Sequence, residues 1–236
     1  MSITGSNTEA TEDSIIEQFL DVFEGLGCLA GKCSIEIDAT IRQVQQPPRR
    51  VPVPLKERLK AKSEELESMG VIARVEEPTE WISNLVIINK PDKLRICLDP
   101  VDLNRAIQRP RYQMPTLDDL LPELANAKVF TVLDALNGFW QIKLEERSSR
   151  LTTFWTPFGR YRWLRMPFGL CNASDEYLQR QYRTLEGLKG VASIADDTLM
   201  FGSEETVDEA IKQHDQNLQA LLERARQSAS NLTSRS

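Results

Sequence analysis

The chain has 236 residues, 41% of them hydrophobic and 27% charged, with a formal net charge of −6 at pH 7. This length suits one large domain or two small ones, with apolar content enough for a stable core, and no stretch approaches the ~20 apolar residues of a membrane span. The polar residues 1–7 lack the apolar run of a secretory signal, so the composition predicts a cytoplasmic or nuclear protein, not secreted and with no membrane partner. The acidic balance argues mildly against nucleic-acid binding, since duplex binders are typically basic.

Residues 1–12 are mostly polar and read as disordered. Residues 14–26 form an amphipathic helix, with Ile15, Ile16, Phe19, Leu20 and Phe23 on one face and Gly25 and Gly27 at its end. The cysteines (Cys28, Cys33, Cys97, Cys171) are scattered and the lone His214 is remote in sequence. That spacing favours reduced structural thiols over a zinc site. Ile35 and Ile37 suggest a short strand. Pro47, Pro48, Pro52 and Pro54 keep residues 43–54 extended, with Arg49 and Arg50 on that arm.

A second helix is predicted over 55–69, with Leu55, Leu59, Leu66 and Met69 as its apolar stripe and Gly70 as its stop. Residues 71–75 and 85–89 read as strands, 90–93 as a hairpin turn and 94–98 as the returning strand. Residues 99–111 are irregular or briefly helical. Thr116 with Asp119 resembles a capping box that opens a helix through Leu124, shortened or kinked at Pro122. Strands are predicted over 128–134 and 141–144 around a turn at 138–140. Residues 151–155 and 161–164 make a further hairpin around Thr156-Pro157-Phe158-Gly159. A helix over 172–188, strands over 191–195 and 198–201, and a last helix over 204–226 follow, before a polar, loose tail over 227–236.

Two apolar strands carry acids at their ends: Asp134 after 129–133, and the pair Asp196-Asp197 between 191–195 and 198–201. Asp is a poor strand former and costly to bury alone, and adjacent carboxylates repel unless a divalent cation lies between them. If the two segments are sheet neighbours, three carboxylates converge on a Mg²⁺ site suited to phosphoryl or nucleotidyl transfer. The pattern alone suits a surface turn with solvated acids equally well. Basic residues cluster between the acidic ends, at Lys90 and Arg95 on one hairpin and Arg160, Arg162 and Arg165 on the other. Such runs either grip phosphate or form a solvated face.

The order of these signals is specific. The segments KLRICLDPVDLN (93–104), VFTVLDALNGFWQIKL (129–144), LTTFWTPFGRYRWLRMPFGL (151–170) and IADDTLMFG (194–202), with PPRRVPV (47–53) and GVIARVEEPTEWIS (70–83), resemble the reverse transcriptase of gypsy-type LTR retrotransposon Pol polyproteins. The resemblance runs from about residue 14 to residue 225 and rests on several long motifs in one order.

It implies an α+β right-hand polymerase: fingers plus a partial palm, an antiparallel sheet backed by helices, with the thumb absent. The implied divisions are a disordered segment, helix and linker over 1–45, fingers over 46–110, palm over 111–144, a fingers hairpin over 145–170, palm again over 171–226 and a disordered tail over 227–236. Asp134, Asp196 and Asp197 match the carboxylates that hold two Mg²⁺ ions, with Mn²⁺ as a substitute. One ion activates the primer 3′-hydroxyl and the other neutralises the triphosphate and leaving pyrophosphate.

By the same resemblance Lys90 and Arg95 hold the incoming dNTP, and backbone N–H groups at Ala135 and Leu136 reach its phosphates. Phe139 stacks under the sugar and excludes a 2′-hydroxyl; plain core packing is its alternative. Phe168 and Gly169 sit by the nascent pair, while Arg49, Arg50, Arg160, Arg162 and Arg165 track the phosphates of an RNA or DNA template with its primer. Protease, ribonuclease H and integrase segments are partners if a longer product is made.

Several positions depart from the family pattern. Leu136 and Asn137 replace a charged pair, Ser174 stands where Pro is common, and Leu178 stands where a Gln is expected. The chain also ends before the strand hairpin that grips the primer, so a truncated fragment is expected, and an inactive remnant that binds nucleic acid or a partner is the alternative function. A different two-metal enzyme of palm design, such as a primase or cyclase, is disfavoured by residues 151–170.

Overall fold

The structure, a computed structural model, describes residues 14–234 apart from 16, 92, 110–120, 123, 136, 195, 196 and 231, and not the side chains of 194, 233 and 234. Its elements in chain order begin α1 (Leu20–Phe23), α2 (Val53–Ser68), β1 (Ile72–Val75), β2 (Asn84–Asn89), β3 (Leu94–Asp99) and α3 (Val101–Ala106). Next come β4 (Val129–Ala135), a 3-10 turn (Gly138–Gln141), α4 (Glu146–Leu151), β5 (Phe154–Thr156), β6 (Gly159–Trp163) and α5 (Ala173–Leu185). The last are β7 (Val191–Ile194), β8 (Asp197–Gly202), α6 (Val207–Gln227) and β9 (Leu232–Ser234). The chain divides into two compact units, one of Met1–Ala30, Tyr112–Gly138 and Leu178–Ser236, the other of Gly31–Arg111 and Phe139–Tyr177.

The first unit is built on a four-stranded antiparallel sheet in the order β7-β8-β4-β9. Alternation along β4 and β8 gives the sheet two faces. One carries Leu133 and Met200, buried with Leu218, Leu221, Leu222 and Ala225 of α6 and with Phe19, Val22 and Leu232. The other carries Asp134 and Asp197. α6 opens with a full capping box, in which the Thr206 hydroxyl accepts from the Glu209 N–H and the Glu209 carboxylate accepts from the Thr206 N–H. The helix lies so close to β8 that a Cβ added to Gly202 would stand 2.0 Å from the carbonyl oxygen of Ala210. His214 on the same helix face is buried, with Nε2 2.9 Å from Thr131 Oγ1 on β4.

The second unit holds a three-stranded sheet in the order β1-β6-β5 and a two-stranded ribbon, β2-β3. Its core is aromatic: Trp81, Phe154, Tyr161 and Trp163 are buried, with Leu59 and Leu66 of α2 at 0% exposure. α2 carries Pro54 in its first turn, where a missing N–H breaks no helical bond. It ends at Gly70, whose φ of +66° suits glycine. Gly70 N–H donates to Glu67 O and Val71 N–H to Leu66 O, and Leu66 and Val71 are both fully buried, the paired bonds and apolar contact of a Schellman stop.

Several expectations change. The N-terminal helix is interrupted and ends early: residues 14, 15, 17 and 18 are helical, Phe19 leaves helical geometry, and α1 ends at Phe23. Residues 33–37 form no strand, only isolated bridges from Cys33 to Leu144 and from Ile37 to Ile107. The extended arm stops at Pro52, because Val53 and Pro54 already belong to α2. Residues 141–144 are the end of the 3-10 turn plus two isolated bridges instead of a strand. Residues 146–151 are a helix where a strand was expected to begin at Leu151. Within the tail, Leu232–Ser234 is ordered as β9, which pairs with β4 from Leu133↔Ser234 to Ala135↔Leu232. The expected capping box at Thr116 and Asp119 lies outside the described residues.

Candidate active site

β4 and β8 run antiparallel with Asp134 directly opposite Asp197, and β7 places Ile194 opposite Asp197 on its other side. Direct cross-strand partners share one face of the sheet, with Cβ atoms ~5 Å apart, and two like charges so placed are destabilising unless a cation offsets them. Both residues are half-buried. Asp196 and Leu136 lie outside the described residues, so the third expected carboxylate and one expected phosphate-facing backbone group are not placed. Ala135 closes β4 opposite Leu232 of β9, and Asn137 after it has a φ of +50°. The strand thus stops one residue beyond Asp134 and turns sharply.

In the second unit Lys90 and Lys93 close the β2-β3 ribbon by reciprocal backbone bonds of 3.0 and 3.3 Å. Arg95 pairs with Ile88, and alternation puts Lys90 on the same face of the ribbon; both cations are exposed. The ribbon tip is braced from α2. Arg58 donates to Asn89 Oδ1 at 2.6 Å and to the carbonyls of Lys90 and Pro91 at 3.2 and 3.3 Å.

Phe139, in the 3-10 turn, is half-buried. Its ring centroid is 4.9 Å from that of Phe168 and 5.9 Å from that of Tyr177. The loop that carries Phe168 is fixed through its backbone. Leu98 N–H donates to Phe168 O at 3.2 Å, Asn104 Nδ2 donates to Gly169 O at 2.9 Å, and Asn104 Oδ1 accepts from Cys171 N–H at 2.9 Å. Gly169 has a φ of +110°, and a Cβ there would stand 2.2 Å from Leu98 O, so only glycine fits. Sequence reasoning missed the bracing roles of Asn104 and Arg58. Asn104 ends the motif 93–104, and its amide, able to give and accept at once, was the available signal.

Four of the five arginines expected on nucleic acid have partners within the fold. Arg49 pairs with Asp99 at 3.0 Å. Arg160 donates to Glu76 O at 2.8 Å and lies over the Trp155 ring at 5.6 Å. Arg162 reaches Glu146 at 2.8 Å, which holds that carboxyl below its usual range, and Arg165 donates to Trp140 O at 2.8 Å. Arg50 is exposed, with no ion pair among the described residues. Burial pushes the Cys97 and Cys171 thiols up, away from the reactive thiolate.

Residues 88–234 match the family model described as reverse transcriptase (RNA-dependent DNA polymerase). The chain is 35% identical over 125 residues to the retrovirus-related Pol polyprotein from transposon 297 of Drosophila melanogaster, covering 50% of this chain and 12% of that protein. It is 33% identical over 115 residues to the one from transposon 412 of the same fly, covering 48% and 9%. The chain therefore spans a small part of the curated relatives it matches. Among solved structures, the foamy viral protease-reverse transcriptase in complex with an RNA/DNA hybrid superposes with a TM-score of 0.81 at 18% identity, over 98% of this chain and 31% of that one. The fold is thus that of reverse transcriptases, with mixed helices and antiparallel sheets.

Proposed function

Because the chain belongs to the reverse transcriptase (RNA-dependent DNA polymerase) family, we propose that it is the polymerase segment of a gypsy-type Pol polyprotein and transfers deoxynucleotides to the 3′-hydroxyl of a primer on an RNA or DNA template. The β7-β8-β4-β9 sheet serves as palm and the β2-β3 ribbon as part of the fingers. Protease, ribonuclease H and integrase segments accompany it where a longer product is made. Likeness to the Pol polyproteins of transposons 297 and 412 supports the gypsy-type reading.

The single observation that carries the reading is the register Asp134↔Asp197. Two carboxylates fixed opposite each other are a hard-oxygen donor set, which fits Mg²⁺ or Mn²⁺ and suits no soft metal. Asp134, Asp197 and, by sequence, Asp196 would hold two such ions, which supply a lowered pKa at the primer hydroxyl and neutralise the triphosphate. The chain's own groups do the rest. Lys90 and Arg95, on one ribbon face, bind triphosphate oxygens and orient them for in-line attack. Backbone N–H groups at Ala135 and Leu136 add to that hold.

Phe139 forms the floor of the sugar site and excludes a 2′-hydroxyl, with Phe168 and Gly169 beside the new base pair. Arg50 follows the template or primer backbone. Arg49, Arg160 and Arg162 join it only by sharing their present partners with phosphate, and Arg165 is directed to a backbone carbonyl.

The test is single-nucleotide addition to a primed RNA template with Mg²⁺ or Mn²⁺ at enzyme excess, for wild type and Asp196→Asn. Addition by wild type and loss in the variant is expected. No addition by wild type, with template binding retained, would replace the polymerase reading with that of a nucleic-acid binder.

A further inference from the structure

A buried amide sits directly behind the rung that carries Asp197. Gln181, on α5, is 7% exposed, and its side chain reaches two hydroxyls. Nε2 donates to Thr198 Oγ1 at 3.0 Å, and Oε1 accepts from Ser193 Oγ at 3.1 Å. Ser193 and Thr198 are 6% and 2% exposed and are direct cross-strand partners of β7 and β8. The next rung is Ile194↔Asp197. One amide therefore straddles the two strands of the hairpin, bonding each of them once, immediately before the residue that faces Asp134.

This arrangement calls for an explanation. Three polar side chains are buried where apolar ones would pack at no desolvation cost. A satisfied polar network instead fixes one geometry, because each bond is lost if the strands shift. Asp197 sits on β8 opposite Asp134 of β4, so the way β8 is held against β7 sets where that carboxylate stands.

We propose that Gln181 is a positioning residue, a clamp across β7 and β8 that fixes the register and twist of the hairpin carrying Asp197, and so the direction in which that carboxylate faces Asp134. Its consequence for catalysis rests on the polymerase reading above; the clamp itself does not. A side chain bonded to one strand would anchor that strand alone. Gln181 reaches both, and its length and two-ended amide are what the position demands.

The full-length chain tests this with Gln181→Met, which keeps length and removes both bonds, and with Ser193→Ala, which removes one hydroxyl. Ser193→Thr, which keeps the hydroxyl on a β-branched residue, is the control. Three readouts are needed: amide hydrogen exchange of the metal-free protein, Mn²⁺ affinity by paramagnetic resonance, and the kcat and KM for one deoxynucleotide.

Exchange within 191–200 is expected to be about tenfold faster in Ser193→Ala, the factor for one net hydrogen bond, and faster still in Gln181→Met, which loses both. Mn²⁺ binding is expected to weaken about tenfold, with kcat reduced and KM within about twofold of wild type. Ser193→Thr should behave as wild type. Unchanged exchange and unchanged Mn²⁺ affinity in both disrupting variants would overturn the proposal and leave the polymerase reading intact. If wild type neither binds Mn²⁺ nor adds a nucleotide, the polymerase reading fails, and the exchange comparison alone decides the clamp. If Gln181→Met does not fold, Ser193→Ala against Ser193→Thr decides it.

Discussion

The ring of Phe139 stands 4.9 Å from that of Phe168, centroid to centroid, and the two planes are tilted by 44°. Phe168 is 39% exposed, so one side of this pair is open to a ligand. Phe139→Ala is expected to lower discrimination against ribonucleotides by about tenfold to a hundredfold, the range for reshaping an apolar pocket. Phe139→Tyr, which keeps the ring, is expected to retain it. The check is the ratio of kcat/KM for a ribonucleotide and its deoxy counterpart. Unchanged selectivity with a lower melting temperature would reduce Phe139 to a packing residue.

Gly202 concerns stability. A methyl group there meets the Ala210 carbonyl at 2.0 Å and the His214 Cβ at 3.2 Å. The obstruction is backbone, so α6 must move off β8. Gly202→Ala is expected to cost about 1–3 kcal/mol, the usual range for overpacking, read as a fall in thermal midpoint. An unshifted midpoint would mean that the helix and strand are not in close contact.

β9 supplies a third expectation. Leu232 is 6% exposed and packs with Phe19, Val22 and Leu133. Leu232→Ala should cost about 2–3 kcal/mol and speed amide exchange in β4, the strand that carries Asp134. A loose tail would make the substitution silent in both measurements.

The Glu146–Arg162 pair gives a pH dependence. The hydrogen bond from Arg162 lowers the Glu146 pKa from 4.5, so the folded value lies below the unfolded one. Its stabilisation is fully present above pH ~4.5 and is lost as the pH falls through the folded value. The carboxylate is 62% exposed, so the contribution is below about 1 kcal/mol after solvent screening. Glu146→Gln should therefore melt slightly below wild type at pH 7 and converge with it under acid conditions. A gap that widened as the pH fell would contradict the assignment.

The parts legible in the sequence are those set by local chemistry. Gly70 marks the end of α2 because a left-handed residue is needed there, and the two acidic strand ends announced themselves by placing Asp after apolar runs. The parts missed depend on distant partners. The helix over Glu146–Leu151 is not anticipated, and within it Ser148 and Ser149 are buried because they bond Ile35 N–H and the Trp163 carbonyl. Leu232 to Ser234 is too short to declare itself a strand and becomes one only at the edge of β4. Arginines 49, 160, 162 and 165 look like phosphate ligands in sequence, where the fold's own carboxylates and carbonyls are invisible. Gln181 reads as one more polar residue of a helix until the two hydroxyls on β7 and β8 meet it.

In the proposed polymerase Asp134 and Asp197 hold the metal ions. The most direct measurement is single-turnover addition of one deoxynucleotide to a primer on an RNA template, across a Mg²⁺ titration, for wild type, Asp134→Asn and Asp197→Asn. Wild type is expected to add the nucleotide in a Mg²⁺-dependent way, and each variant to lose about a thousandfold or more in rate, as removal of a principal electrostatic stabiliser does. Equal addition by wild type and variants, or addition indifferent to Mg²⁺, would contradict the account.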